Sequence, residues 1–369
     1  FILLELRTKE STENTLKFQK FIKRSNNPFS FIVANIIIMP TIETLNLIAE
    51  QLNIYIGIFL LFIGDVSGLF NIILFRQKAF LKSSCSFYLS LASVADLFLL
   101  NIVLSTRILQ YGFQINLMSG SIIICKVRYY ISDVSCLCSL TFFILASTDR
   151  YMSTCHQAKQ RQRFHFSTHR KVVLLIISIT TFWLLAVSHR LVYYDIYKTS
   201  NTTQTCMSQP GIYTYYDTYF EALFVGLLPP IFICIFGLII LHNIKCVIRR
   251  QIGPADQNNT RLSRIQYIDQ QLTFMLLLQT VIAMISFIPY SIQLLYSLIT
   301  EQQYKSAERL AWENLIIHII RLLSYSYYCF SFYVYLKSSE TFRKQFIQIF
   351  KSSVKENFEL KTIIHPDPL

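Results

Sequence analysis

Residues 125–151 read CKVRYYISDVSCLCSLTFFILASTDRY, a largely apolar run that opens on Cys125 and closes on Asp149-Arg150-Tyr151. About 25 helical residues, rising about 1.5 Å each, span the roughly 30 Å hydrocarbon core of a bilayer. The stretch therefore reads as a membrane-crossing helix with a cysteine outside and a charged triplet inside.

Working outward, six more apolar stretches have the same character. The seven spans fall near 53–76, 86–110, 126–151, 172–195, 217–243, 270–298 and 313–336. The composition agrees: 53% of the 369 residues are hydrophobic and only 15% are charged, more apolar surface than a soluble core of this size needs. The net charge of +13 does not point to nucleic acid, because the bases lie between the spans and not on one face of a soluble domain. Nineteen Lys and Arg, from Arg76 to Lys361, sit in the connections on the side of Arg150, and the opposite side has fewer. By the positive-inside rule Arg150 and the C-terminal tail are cytoplasmic and the N-terminus is outside.

The expected organisation is a seven-span membrane domain at 53–337, preceded by an extracellular N-terminus at 39–52 and followed by an amphipathic helix and cytoplasmic tail at 338–369. Residues 1–38 fit this plan poorly, since they place Arg7, Lys9, Lys17, Lys20, Lys23 and Arg24 on the base-poor side. They are expected to be a non-native or disordered extension, with translation starting at Met39; a signal sequence, with bases ahead of the apolar run 29–39, is the alternative. After Tyr335, the residues Phe342, Phe346, Ile349 and Phe350 recur at helical spacing opposite Arg343, Lys344 and Lys351, the pattern of a helix lying on an anionic leaflet. No cysteine follows Cys329, so apolar burial and basic residues, not a palmitoyl chain, must hold that helix.

Cys125 has a ready partner in Cys206, which lies in the polar loop between helices four and five, on the oxidising side. The other cysteines fall within helices or at cytosolic ends and read as small core residues. Asn201-Thr202-Thr203 is a glycosylation sequon on the same outer loop.

Four motifs carry a family likeness: Gly68-Leu69-Phe70-Asn71 in helix one, Leu91-Ala92-Ser93-Val94-Ala95-Asp96 in helix two, Asp149-Arg150-Tyr151 in helix three, and Tyr335 seven residues before Phe342-Arg343. Together they resemble the rhodopsin-like (class A) G-protein-coupled receptors, from helix one to past helix seven, with the general look of invertebrate neuropeptide receptors. The resemblance implies an all-α membrane protein, a seven-transmembrane helix bundle at the plasma membrane with a short amphipathic cytoplasmic helix after helix seven. It implies an extracellular ligand, a heterotrimeric G protein and arrestin as partners, alongside membrane lipid, and no enzymatic activity.

The same resemblance assigns roles. Asp96, Ser139 and Ser331 match positions that gather around a sodium ion, the one cofactor the family suggests; the alternative is a protonated aspartate acting as interhelical glue. Asp269, twenty residues before Pro289, stands level with Arg150, and the two resemble an inactive-state lock that outward movement of helix six would break. Pro289 with Phe287 forms the helix-six pivot. Departures are also visible: Phe287 replaces a tryptophan, Ser331 and Phe332 replace asparagine and proline, Gln157 replaces a proline, and Pro229-Pro230 lack the usual tyrosine two turns later.

Charged residues inside the outer half of the bundle are ligand-pocket candidates, because an ionised side chain there is costly unless it is used. Arg107, Asp133, Glu221 and Arg321 qualify, with Asp133 and Arg321 deep enough to pair when no ligand is bound. Amine receptors use an aspartate one position before Asp133, where this chain has Ser132, and a one-residue shift turns a side chain by about 100°. Helix seven lacks the lysine to which opsins attach retinal. The mixed charges and the tyrosines 129, 130, 193, 194, 325, 327 and 328 suit an amphipathic peptide with an amidated or basic end.

Two other readings remain in view. A multispan transporter or channel should show inverted repeats or helices broken at the midplane, and neither is visible. A decoy receptor that binds without coupling is suggested by Phe287, Ser331 and Phe332, against which stands the intact Arg150. No zinc-spaced cluster, phosphate loop or nucleophile elbow supports an enzyme.

Overall fold

The computed structural model describes residues 41–77, 80, 83–154, 169–198, 204–229, 231–232, 234–239, 260–301, 303–349 and 351; of 153–154, 169 and 260–269 it describes the backbone alone. Among the described residues seven long helices form the bundle: α1 (Ile42–Phe75), α2 (Ser84–Tyr111), α3 (Ile122–Thr154), α4 (His169–Ala186 with a further turn His189–Tyr193), α5 (Ile212–Glu221, with further helical residues at 222–229, 231–232 and 234–239), α6 (Thr260–Thr300) and α7 (Ala307–Ser338). A short helix α8 at 340–349 comes after them. All but α5 have a continuous described stretch long and apolar enough to cross a bilayer. Between α4 and α5, β1 (Tyr194–Lys198) and β2 (Gln204–Ser208) pair antiparallel, with Ile196 opposite Cys206.

Most helices extend beyond their apolar spans, because hydrogen-bonded caps and packing continue past the hydrocarbon. α1 begins at Ile42, so residues 42–52 are helix and not the separate segment expected from hydropathy. Thr41 caps it by accepting from the Thr44 amide at 3.4 Å, and Glu43 meets the positive end of the helix dipole. The added turns bury Leu45, Ile48 and Ala49 against Ala311 and Leu315 of α7. α7 likewise starts early on the Ser306 cap, whose hydroxyl accepts from the Arg309 amide at 3.3 Å.

The core runs the length of the bundle, with α1 packed most extensively on α7, and α2 on α3. Glycine makes the α1 contact possible. A Cβ added at Gly64 would lie 2.5 Å from Leu100 Cδ1 and 3.0 Å from Cys329 Sγ, so a side chain there would have to push those two side chains out of their packing. Two helices carry π segments, Leu99–Leu104 in α2 and Ala222–Leu227 in α5. Each segment adds an extra residue to the turn and rotates the helix beyond it, so the segment in α2 sets the heading of Arg107. The outward faces of α1, α4 and α6 expose Phe62, Leu185 and Ile292, as lipid-facing helices must.

Candidate functional site

The Cys125 end of the bundle holds a buried ionic network. Cys125 is fully buried and bonded to Cys206, with Cα atoms 5.8 Å apart, which ties β2 to α3. The hairpin lies across the helix ends, and Tyr194 sets its ring on Tyr129 with centroids 4.3 Å apart. At the last turn of α4, Arg190 is only 2% exposed. Its guanidinium reaches Asp133 of α3 at 3.0 Å, Asp217 of α5 at 3.0 Å and Glu221 of α5 at 3.7 Å. Glu221 continues the chain: Arg321 of α7 stands 3.4 Å away, and the Tyr290 hydroxyl of α6 donates to the same carboxylate oxygen. The Tyr194 hydroxyl donates to Asp217 at 2.7 Å, and burial pushes this phenol well above its ordinary pKa, so it keeps its proton. Five helices and the hairpin thus meet on one set of charges.

A second polar group lies beside it. Arg107 of α2, 7% exposed, donates to Nδ1 of His318 at 2.9 Å, and Asn53 of α1 donates to the same nitrogen at 3.0 Å. Arg107 also sits over the Tyr111 ring at 4.9 Å.

This arrangement corrects one expectation. Asp133 and Arg321 do not pair, because Arg190 lies among the carboxylates and takes Asp133, which leaves Arg321 to Glu221. Ser132, one position earlier, is half-buried and makes no described hydrogen bond. The tyrosines divide by depth. Tyr129 and Tyr194 belong to the pocket, whereas Tyr327 and Tyr328 are buried lower down against Phe287, with centroids 5.1 and 6.1 Å away. Phe287 is 2% exposed and lies one turn's reach from Pro289, inside α6.

In mid-bundle, the Ser139 hydroxyl donates to the Asp96 carboxylate, both buried. Ser331 turns elsewhere. Its hydroxyl is 3.2 Å from that of Ser67 and accepts from Asn71 Nδ2 at 2.9 Å. Oxygen donors of this kind suit a hard cation.

At the opposite end, Arg150 is 5% exposed, pairs with Asp149, and donates at 3.3 Å to Oγ of Ser83, the residue just before α2; Tyr151 is half-buried beside it. Asp269 lies in α6, but its side chain is outside the described residues, as is the sequon residue Asn201 and all of 1–40. Tyr335 is buried between Phe75 of α1 and Phe342 of α8, with centroids at 5.7 and 5.9 Å. Gln271 of α6 joins this corner: its Oε1 accepts from Ser339 Oγ at 2.6 Å and from the Thr341 amide at 2.9 Å, which caps α8 and links it to α6.

Sequence reasoning passed over Arg190, Asp217, His318 and Gln271. The signal for Arg190 was present, since a charge inside an apolar span deserves the same attention as Arg107. Asp217 is the first residue of the fifth apolar span, where a charge reads as an end residue, whereas α5 starts at Ile212 and carries it into the bundle. Nothing in the local pattern separates Gln271 from any polar residue at a helix end.

The geometry has relatives. A family model described as "7 transmembrane receptor (rhodopsin family)" matches residues 69–335. The curated protein C-C chemokine receptor type 8 of Macaca mulatta is 23% identical over 282 residues, covering 73% of each chain. Its counterparts from Mus musculus and Homo sapiens are 25% and 24% identical, again with 73% of each chain covered.

Proposed function

The chain belongs to the rhodopsin family of seven-transmembrane receptors, and on that premise we propose that it binds an extracellular peptide at its Cys125 end and activates a heterotrimeric G protein at its Arg150 end. The observation that carries the ligand half is the network around Arg190 and Glu221. It joins α3, α4, α5, α6 and α7 through ion pairs and hydrogen bonds that a ligand group can enter and rearrange. A ligand that draws on Glu221 or Tyr290 pulls on α6 above Pro289, and the pivot at Phe287 passes that motion to the Arg150 end. Buried charge pairs suit such a switch, since two arrangements of the same partners differ by a few kcal/mol, on the order of a ligand's differential affinity.

A peptidic ligand also fits the aromatic surroundings, with Tyr129, Tyr193 and Tyr194 near the hairpin. The sequence leans towards a neuropeptide. The relatives named as chemokine receptors favour a larger peptidic ligand that would also touch the β1–β2 hairpin. On both readings the receptor sits in the plasma membrane with Arg150 and α8 cytoplasmic, an orientation that the distribution of bases supports. The Asp269–Arg150 lock, a sodium ion at Asp96, glycosylation of Asn201 and arrestin binding complete the proposal.

The test is a peptide and chemokine library screened on cells expressing the full chain, with calcium and cyclic-nucleotide readouts. Second-messenger responses that vanish in Cys206→Ser support the reading. Solute uptake without any second messenger would return the transporter to favour.

A further inference from the structure

Around Arg190 four arginines stand against three carboxylates, while Glu313 at the outer end of α7 is held by Lys305 and Arg309. Arg107, Arg128, Arg190 and Arg321 face Asp133, Asp217 and Glu221, and Arg190 engages all three acids. Arg321 keeps one carboxylate among the described residues, Glu221 at 3.4 Å, and lies over the Tyr290 ring at 4.7 Å. Among the described residues no carboxylate lies within ion-pairing distance of Arg107 or Arg128.

Arg107 is the more telling of the two. It is 7% exposed, its Nε is buried without a hydrogen-bond partner, and its one polar contact is His318 Nδ1. That nitrogen also receives the Asn53 amide, so with two donors on it the ring presents a lone pair and no negative charge. The Tyr111 ring compensates Arg107 only in part. A guanidinium withdrawn from water to this degree calls for a counter-ion. Arg107 also lies in the field of Arg321 and Arg128, and the Arg128 Nε reaches Thr106 Oγ1, the residue next to Arg107, at 3.4 Å. Arg107, Arg128 and Arg321 therefore have one carboxylate among them, Glu221, which Arg190 also contacts, and four arginines against three acids leave one positive charge over.

We infer that this pocket receives a carboxylate, the free C-terminus or an acidic side chain of the peptide, with Arg107 as its anchor and Arg321 and Arg128 beside it. The inference rests on the peptide-receptor reading and sharpens it. One negative charge balances the excess, and the planar guanidinium fork takes a carboxylate through two parallel hydrogen bonds. It also reverses the expectation of a basic or amidated ligand end, because Asp133 and Glu221, which would greet such an end, are already held by Arg190 and Arg321.

The experiment is affinity selection on the full chain in lipid nanodiscs, using one random-sequence peptide library made in parallel as free acids and as C-terminal amides. Carboxylate-bearing members should enrich at least tenfold over their neutral counterparts. Arg107→Gln should abolish that preference and Arg107→Lys, which keeps the charge without the fork, should keep only part of it, which separates charge recognition from misfolding. Equal enrichment of acids and amides, or an undiminished preference in Arg107→Gln, would overturn the inference. Selected acids that bind but raise no second messenger would sink the receptor reading and leave this one standing; amides that signal would do the reverse.

Discussion

Replacing Arg190 by methionine should be the most damaging single change in the Cys125 half of the bundle, and the structure says why. The side chain is 2% exposed and holds Asp133 and Asp217 at 3.0 Å each. At an effective dielectric of about 20, a 3.0 Å pair attracts by roughly 5 kcal/mol, most of which repays the desolvation of the two groups. Methionine fills much of the volume but leaves two buried carboxylates facing each other without a cation. Breaking a buried network in this way costs about 3–5 kcal/mol. At about 2–4 °C per kcal/mol for a domain of this size, the melting temperature should fall by roughly 10 °C. The assay is thermal unfolding of the purified protein in detergent, followed by thiol-reactive fluorescence at the buried cysteines Cys85, Cys136, Cys138 and Cys329. Because the penalty comes from the orphaned acids, Arg190→Met combined with Asp133→Asn and Asp217→Asn should recover at least half of the loss. A single variant that melts within 2 °C of the parent, or a triple variant no better than the single, would refute the reasoning.

Three further outcomes concern separate parts of the molecule. Cys206→Ser frees the hairpin from α3 and should cost about 2–4 kcal/mol while abolishing ligand binding, read by melting temperature and by peptide capture at the cell surface. Gly64→Val should lose about 1–3 kcal/mol through the clash with Leu100 and Cys329, whereas Gly120→Ala, which meets nothing within 4 Å, should be neutral by the same assay. Asp269→Ala should raise ligand-free second-messenger output if the lock with Arg150 holds, and unchanged basal output would dismiss it.

How much of this was legible in the sequence depends on the range of the interaction. The spans declared themselves because a bilayer demands about 20 apolar residues in a row, a local property. The disulfide was legible because only Cys206 sat in an outer polar loop opposite Cys125. The Asp96–Ser139 contact was implied by the family resemblance, which matched both positions to one polar site. Which charge pairs with which was not legible: Asp133 chose Arg190 over Arg321 because α4 delivers its last turn into the space between α3 and α5, a matter of helix placement that periodicity does not encode. The early start of α1 was missed for a related reason, since Thr41 and the packing on Ala311 and Leu315 sustain helix where hydropathy falls. Ser331 turned to Asn71 and Ser67 because the family's asparagine is absent from its position, and the shorter hydroxyl finds nearer partners on α1.

The central claim is that binding at the Cys125 end opens the Arg150 end to a G protein. Its most direct test is nucleotide exchange on purified heterotrimeric G protein, with the receptor in nanodiscs and a peptide selected for binding. The account predicts peptide-stimulated exchange that is lost in Arg150→Ala while peptide affinity stays within threefold. Stimulated exchange that survives Arg150→Ala, or no exchange from a receptor that binds its peptide, would contradict it.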